Sequence, residues 1–262
     1  MTERIARPAV QALAVLLLSL AGCSHRSVSV GTQAATDDAH QLVLVTTAGW
    51  NSSLGQLRTF AREGKHWQQV GSPVPVTLGR SGVAWGIGLH PAQAGGPRKV
   101  EGDGRSPAGV FRIGPAFGYE SAARTGLRYM AMQSNHYCVD VSGSPLYNRI
   151  VDTRDVGEAA VAGSTEPMRR DLHVQGDQRY RKGFVIEHNP DGTAMAGSCI
   201  FAHLWKSPTG STAGCTAMDA ASMDRLLAWL RSADDPLFVL LPDAEYARLR
   251  GEWRLPDLES QR

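Results

Sequence analysis

Two side chains in the second half of the chain have the types and the spacing to do chemistry together. Cys215 closes the small-residue run Thr209-Gly210-Ser211-Thr212-Ala213-Gly214-Cys215, and His203 stands twelve residues earlier in the apolar run Ser198-Cys199-Ile200-Phe201-Ala202-His203-Leu204-Trp205. A thiol attacks as its thiolate, so it needs a base or an imidazolium within hydrogen-bond reach, and a strand-borne histidine leading through a loop to the cysteine can supply one. Asp219 to Arg231, with Met223, Leu226, Leu227 and Leu230 at helical spacing, reads as a helix packed by those four residues. A cysteine four residues ahead of that helix is expected to be exposed, with a pKa lowered by the unpaired N–H groups and the helix dipole. The commoner fate of a single cysteine is a disulfide or a small buried residue, and of a single histidine a packed or surface ring. The pair alone does not separate these readings; the words around it carry more.

The elements that must hold this pair are mostly strands. Apolar, β-branched runs predict strands at Gln41–Thr47, Gly109–Ile113, Tyr137–Val141, Phe184–Glu187, Ser198–Trp205 and Leu237–Leu241. Turn residues punctuate them, as in His188-Asn189-Pro190-Asp191-Gly192. A second, short helix is expected around Ser53 to Glu63. With 28 Gly and 14 Pro, this spacing predicts one mainly β domain, sandwich-like or barrel-like. The 42% hydrophobic and 20% charged content excludes a disordered chain. Charge is nearly balanced, 27 basic against 25 acidic residues, with no basic run longer than two, which argues against a nucleic-acid partner. The eight histidines form neither H-x-x-x-H nor H-E-x-x-H, so no metal and no cofactor is expected.

Phe201-Ala202-His203, a Gly/Ser/Thr-rich loop and then Thr212-Ala213-Gly214-Cys215 resemble the active-site motif of the L,D-transpeptidases, the YkuD family, in which a histidine and a variable loop precede Ser or Thr, one residue, Gly and Cys. Lys99-Val100-Glu101-Gly102-Asp103-Gly104-Arg105-Ser106-Pro107-Ala108-Gly109-Val110-Phe111 resembles a second family segment, a Gly-Asp-x-x-Thr/Ser-Pro-x-Gly word before a Phe-bearing strand. The likeness runs from about Gln41 to Pro242. It is that of a divergent branch, because the usual Gly after the histidine, His before the motif glycine and Arg two residues after the cysteine are here Leu204, Ala213 and Ala217. Loss of that arginine removes a carboxylate clamp.

The resemblance implies an L,D-transpeptidase-like β-sandwich with a few short helices, and acyl transfer on peptidoglycan stem peptides. Cys215 would attack the carbonyl next to a terminal D-amino acid, D-alanine would leave, and the thioester would pass to an amine. His203 would be the general base and then acid, oriented by a main-chain carbonyl at Leu204. Gly214 would let the substrate backbone approach, the N–H groups of Gly214 and Cys215 would be oxyanion donors, and Thr212 would order the loop. Asp140, Tyr147 and Asn148 are substrate-side candidates, with turn chemistry as their other reading. Arg169, Arg170 and Asp171 line the groove or form a solvated face. His173 and His188 are the next candidates for the base. Water as acceptor would make the protein an L,D-carboxypeptidase or amidase, and a non-catalytic wall-binding lipoprotein is the third reading.

At the N-terminus, Arg4 and Arg7 precede an apolar stretch, Ala9 to Leu20, and Leu20-Ala21-Gly22-Cys23 resembles a bacterial lipobox. This predicts a signal peptide at 1–22, lipidation at Cys23, a tether over 23–40, a catalytic domain over 41–242 and a tail over 243–262. The protein is then exported and held to a bacterial membrane by its lipid anchor, facing the periplasm or cell wall. In that oxidising compartment Cys215 must stay unpaired, so Cys138 and Cys199 either bond to each other or remain buried thiols. Neighbouring strands about 4.8 Å apart permit such a bond without compelling it.

Overall fold

The computed structural model describes Met1 and residues 35–258. The expected leader at 1–22, Cys23 and the tether as far as residue 34 lie outside the described residues.

The strands are β1 (Gln41–Thr47), β2 (Leu54–Glu63), β3 (His66–Thr77), β4 (Val83–Trp85), β5 (Ser106–Gly118), β6 (Tyr129–Ala131), β7 (His136–Cys138), β8 (Ile150–Asp152), β9 (Glu166–Pro167), β10 (Lys182–Ile186), β11 (Phe201–Leu204), β12 (Thr216–Met218) and β13 (Leu237–Pro242). Four short helices join them: α1 (Thr153–Val156), α2 (Arg170–His173), α3 (Ala220–Trp229) and α4 (Asp243–Leu249). The described residues are therefore mainly β. Among them no helix is long and apolar enough to cross a membrane.

The most apolar runs of the sequence become the centre of the sheet. β1 and β13 pair in parallel, Leu42 opposite Leu237 through Thr47 opposite Pro242, and every residue of both strands is buried. A parallel pair covered on both faces needs apolar side chains at successive positions, which is why neither run alternates. The strand order is β10-β11-β12-β3-β2-β1-β13-β5-β4, and β10 pairs a second time with β5. β7 lies between β8 and β9 in a separate three-stranded sheet that carries Cys138.

Helix α3 follows from its sequence: Asp219 caps it by accepting from the Ser222 N–H at 2.9 Å, and Met223, Leu226 and Leu227 are buried. The buried Gln41 ties its far end to β1, donating to Trp229 O at 2.8 Å and accepting from the Arg231 N–H at 2.8 Å.

Three expectations are corrected. Ser53 to Glu63 is not helical but mostly β2, paired with β1 on one side and β3 on the other. Leu57 and Phe60 fall on opposite faces of this strand and both are buried, so a spacing of three, read as one turn of helix, comes from cover on two faces. The tether does not extend to His40, because Thr36 and Ala39 are buried and Thr36 Oγ1 donates to Trp253 O at 2.5 Å. Residues 243–258 are not a tail: α4 packs Tyr246 and Leu249 into the core, followed by Trp253 and Leu255. Shortness and mixed polarity hide both segments from a reading based on apolar runs.

Cys138 and Cys199 form a disulfide across a sequence separation of 61, with their Cα atoms 5.9 Å apart. Cys215 is a free cysteine. Thiol titration of the denatured, unreduced protein is expected to find one free thiol among these three cysteines. The Cys138→Ser, Cys199→Ser double variant should lose roughly 4 kcal/mol of stability in urea unfolding, as expected for opening a loop of this length.

Candidate active site

The site is built where two parallel strands begin and end. β11 and β12 pair with Ala202 opposite Thr216 and His203 opposite Ala217, which places Cys215, just before β12, level with Phe201. Alternation along the strands then puts Phe201, His203 and Cys215 on one face. That face meets an aromatic cluster in which Tyr180 stands edge-on to both Phe201 and His203, at ring-centroid distances of 5.6 and 5.5 Å. Phe117, Met132, Met168 and the Cys138–Cys199 bridge complete the cover.

Two hydroxyls fix the Cys215 backbone. The Cys215 carbonyl accepts from Thr212 Oγ1 at 2.6 Å and from Ser106 Oγ at 3.0 Å, and Ser106 Oγ in turn accepts from the Gly79 N–H at 2.9 Å. One carbonyl is thus held from its own loop by Thr212 and from a distant strand by Ser106, which Gly79 holds in turn. The Gly102–Gly109 word can now be read physically. Asp103 folds its turn by accepting from the N–H groups of Val100 and Arg105 and from Lys99 Nζ. Gly109, at φ 138, passes so close to His90 that a Cβ there would lie 1.9 Å from the ring.

The thiol is buried, 8% exposed, which corrects the expectation of an exposed, acidified cysteine. Burial pushes its pKa up to about 12, and the nearby Glu166 carboxylate adds to that. The first turn of α3 does not offset this: its Ser222 N–H is taken by the Asp219 cap, and the sulfur's own partners lie on β11 and before it. Sγ accepts from the Phe201 N–H at 3.4 Å and donates to Cys199 O at 3.6 Å. Cys199 is itself held in a left-handed conformation (φ 55) by its disulfide and by Asn148, whose Oδ1 accepts the Cys199 N–H at 2.8 Å.

His203 is 3% exposed, and desolvation lowers its pKa to about 4, so the ring is neutral at pH 7. Its Nδ1 lies 2.8 Å from Leu204 O. A carbonyl only accepts, so Nδ1 carries the proton and Nε2 the basic lone pair. No hydrogen bond joins His203 to Cys215 among the described residues. The alternative bases are otherwise engaged: His188 is buried, accepting from the Ile87 N–H and facing Ala196 O, and His173 meets Gln178.

Cys215 lies in the wall of a cleft of about 160 Å³, with Arg80, Glu101, Asp140, Glu166 and Gly214 among its other lining residues. Asp140 accepts from the Thr165 N–H at 2.9 Å and from its hydroxyl. Tyr147 and Asn148 are corrected. The Tyr147 ring is buried with its hydroxyl on Glu101, and Asn148 uses its amide on Cys199, His188 O and Asn189 O, so both hold the cleft rather than face into it. The Gly214 N–H donates to Thr212 Oγ1 at 3.1 Å, which engages one of the two expected oxyanion donors. Of the 169–171 trio, Arg170 reaches the site: it pairs with Glu166 at 2.9 Å and stacks 4.8 Å over the Tyr180 ring, while Asp171 is exposed. Glu166 and Tyr180 were not singled out in the sequence, because each belongs to a short irregular segment with no motif. Their hydroxyl-to-carboxylate bond and the burial-raised pKa of Glu166 link the cleft to the His203 face.

No family model, curated protein or solved structure matches the chain. Among the described residues no group of three His, Cys, Asp or Glu side chains is placed to hold a metal ion.

Two predictions follow from this geometry. Ser106→Ala removes one donor from a buried carbonyl that keeps Thr212 and leaves the buried Gly79 N–H without its acceptor, so it should cost about 2 kcal/mol in urea unfolding and measurably change the alkylation rate of Cys215. His188 and His203 are each held near 4 by burial, against an ordinary imidazole value of 6.5. The unfolded chain therefore takes up protons first, and stability should fall as pH drops from about 6.5 to 4, with a slope approaching two protons in unfolding titrations.

Proposed function

We propose that this protein is a divergent L,D-transpeptidase of the YkuD type, folded as that family's β-sandwich, which transfers acyl groups of peptidoglycan stem peptides through a Cys215 thioester. The observation that carries the reading is the pairing of a buried thiol at a cleft with a neutral imidazole on the same strand face, its Nδ1 proton directed to Leu204 O. The lipobox-like start adds the expected setting: export, a lipid anchor at Cys23, and a periplasmic or wall-facing domain. No cofactor takes part in this chemistry.

The resting site is neutral. With burial raising the thiol to about 12 and lowering the ring to about 4, the proton stays on sulfur and an ion pair is not the ground state. Substrate has to change that balance by replacing Cys199 O as the thiol's partner and bringing Sγ to Nε2. The Sγ proton then moves to Nε2 as sulfur bonds to the carbonyl carbon, and the oxyanion takes the Cys215 N–H. Collapse returns the proton from Nε2 to the departing amine of the terminal D-amino acid and leaves a thioester. An incoming amine attacks that thioester, Nε2 removes its proton, and the thiol is restored. Water in the amine's place gives the L,D-carboxypeptidase or amidase outcome.

Incubation with a stem tetrapeptide should give an acyl adduct on Cys215 by mass spectrometry, absent in Cys215→Ala, and products with and without an added amine separate transfer from hydrolysis. Equal turnover by Cys215→Ala and the unmodified protein would overturn the mechanism, whereas no turnover and no adduct in either would favour a wall-binding role. His203→Gln should lower kcat by at least about 100-fold, as removal of a positioned base does. Because the neutral ring is the active form, kcat/KM should fall only as pH drops through about 4, well below the ordinary imidazole range.

A further inference from the structure

We propose that Arg80 is the carboxylate-recognising residue of the Cys215 cleft, a specificity determinant that selects acyl donors with an anionic group beside the reacting carbonyl. This rests on the reading of Cys215 as the nucleophile. Arg80 lines the cleft together with Cys215 and Gly214. Its backbone is fastened to the loop that carries them: the Arg80 N–H donates to Thr212 O at 2.8 Å, and Gly79 bridges Thr212 in parallel. The same loop is held by the hydroxyl contacts on the Cys215 carbonyl, so the guanidinium and the sulfur are positioned by one piece of structure.

The side chain is set by packing. It lies over Gly104, where a Cβ would come within 2.9 Å of the guanidinium carbon and 3.0 Å of Nε, so the absence of a side chain at 104 makes its bed. Its charge, however, is unanswered: Arg80 is exposed and makes no ion pair or side-chain hydrogen bond among the described residues. The other charged groups of the cleft are engaged. Lys99 Nζ is 2.6 Å from Asp103, Glu101 accepts from Tyr147 and Ser198, Asp140 from Thr165, and Glu166 from Tyr180 and Arg170. Arg105, close by in the chain, has its guanidinium on Trp50 O, Val83 O and Asn51. Ala217 is fully buried, so no cation enters from that position. A carboxylate arriving at Cys215 therefore meets one open partner, a planar donor whose fork matches its two oxygens.

The test uses the thiol as reporter and needs no turnover. Cys215 is alkylated with iodoacetate, which carries a carboxylate, and with neutral iodoacetamide, and the ratio of the two rates is compared in the unmodified protein, Arg80→Ala and Arg80→Lys. The ratio should fall about tenfold in Arg80→Ala and less in Arg80→Lys, with iodoacetamide rates unchanged, and the difference should shrink in high salt. An unchanged ratio in Arg80→Ala overturns the proposal. A matching arm compares donor peptides ending in a carboxylate or a carboxamide. Arg80→Ala should raise KM about tenfold for the first alone, and equal effects on both would also overturn it. Because the alkylation ratio is read without catalysis, a missing clamp and a missing transpeptidase activity give separate results.

Discussion

Removal of Cys215 and His203 from water is the constraint that the rest of the site answers. A thiol and an imidazole in contact with solvent can exchange a proton at modest cost, and their charges are stabilised wherever they fall. Buried under Tyr180, Phe201 and the Cys138–Cys199 bridge, Cys215 and His203 are both held neutral, and charge separation between them becomes expensive. Geometry has to replace charge. The ring is set in one tautomer by Leu204 O, the sulfur is held between the Phe201 N–H and Cys199 O, and the cysteine's own carbonyl is pinned by two hydroxyls.

Each of these constraints is delivered from a different part of the chain, which explains the architecture around the cleft. Ser106 begins β5, the strand that pairs with the fully buried β13, so the contact on the Cys215 carbonyl is backed by the buried centre of the sheet. On the other side the three-stranded sheet brings Cys138 to Cys199, and Asn148 binds the Cys199 N–H, fixing the carbonyl that receives the thiol's proton. Polar residues that the chain places near the cleft divide accordingly. Tyr147 and Asn148 are framework, Glu101 and Glu166 are framework that also lines the opening, and Arg80 is open to whatever enters.

What the sequence disclosed and what it hid follow from how far each interaction reaches. The positions of Cys215 and His203, the all-apolar strands β1 and β13 and the packed face of α3 were legible because each is written in a local word or period. β2 was misread because a strand buried on two faces can place Leu57 and Phe60 at a helical spacing. The acidity of Cys215 was misjudged because proximity to a helix is visible along the chain, whereas burial by Tyr180 and Phe201 is not. Thr36 binding Trp253, 217 residues away, and Glu166 meeting Tyr180 across an irregular loop leave no local trace.

The strand carrying His203 has neighbours on both sides. β11 is bonded to β10 and β12, and β12 in turn to β3. An extended peptide can attach to a sheet by adding itself as a new strand, but this requires a free row of main-chain donors and acceptors. None is offered here. A substrate reaching these residues must therefore approach across the strand ends, over the loop that carries Thr212 and Gly214, and must find partners for its own amides in side chains and isolated backbone groups. Such an entry reads the charge and shape of a chain terminus better than the regular spacing of a long backbone.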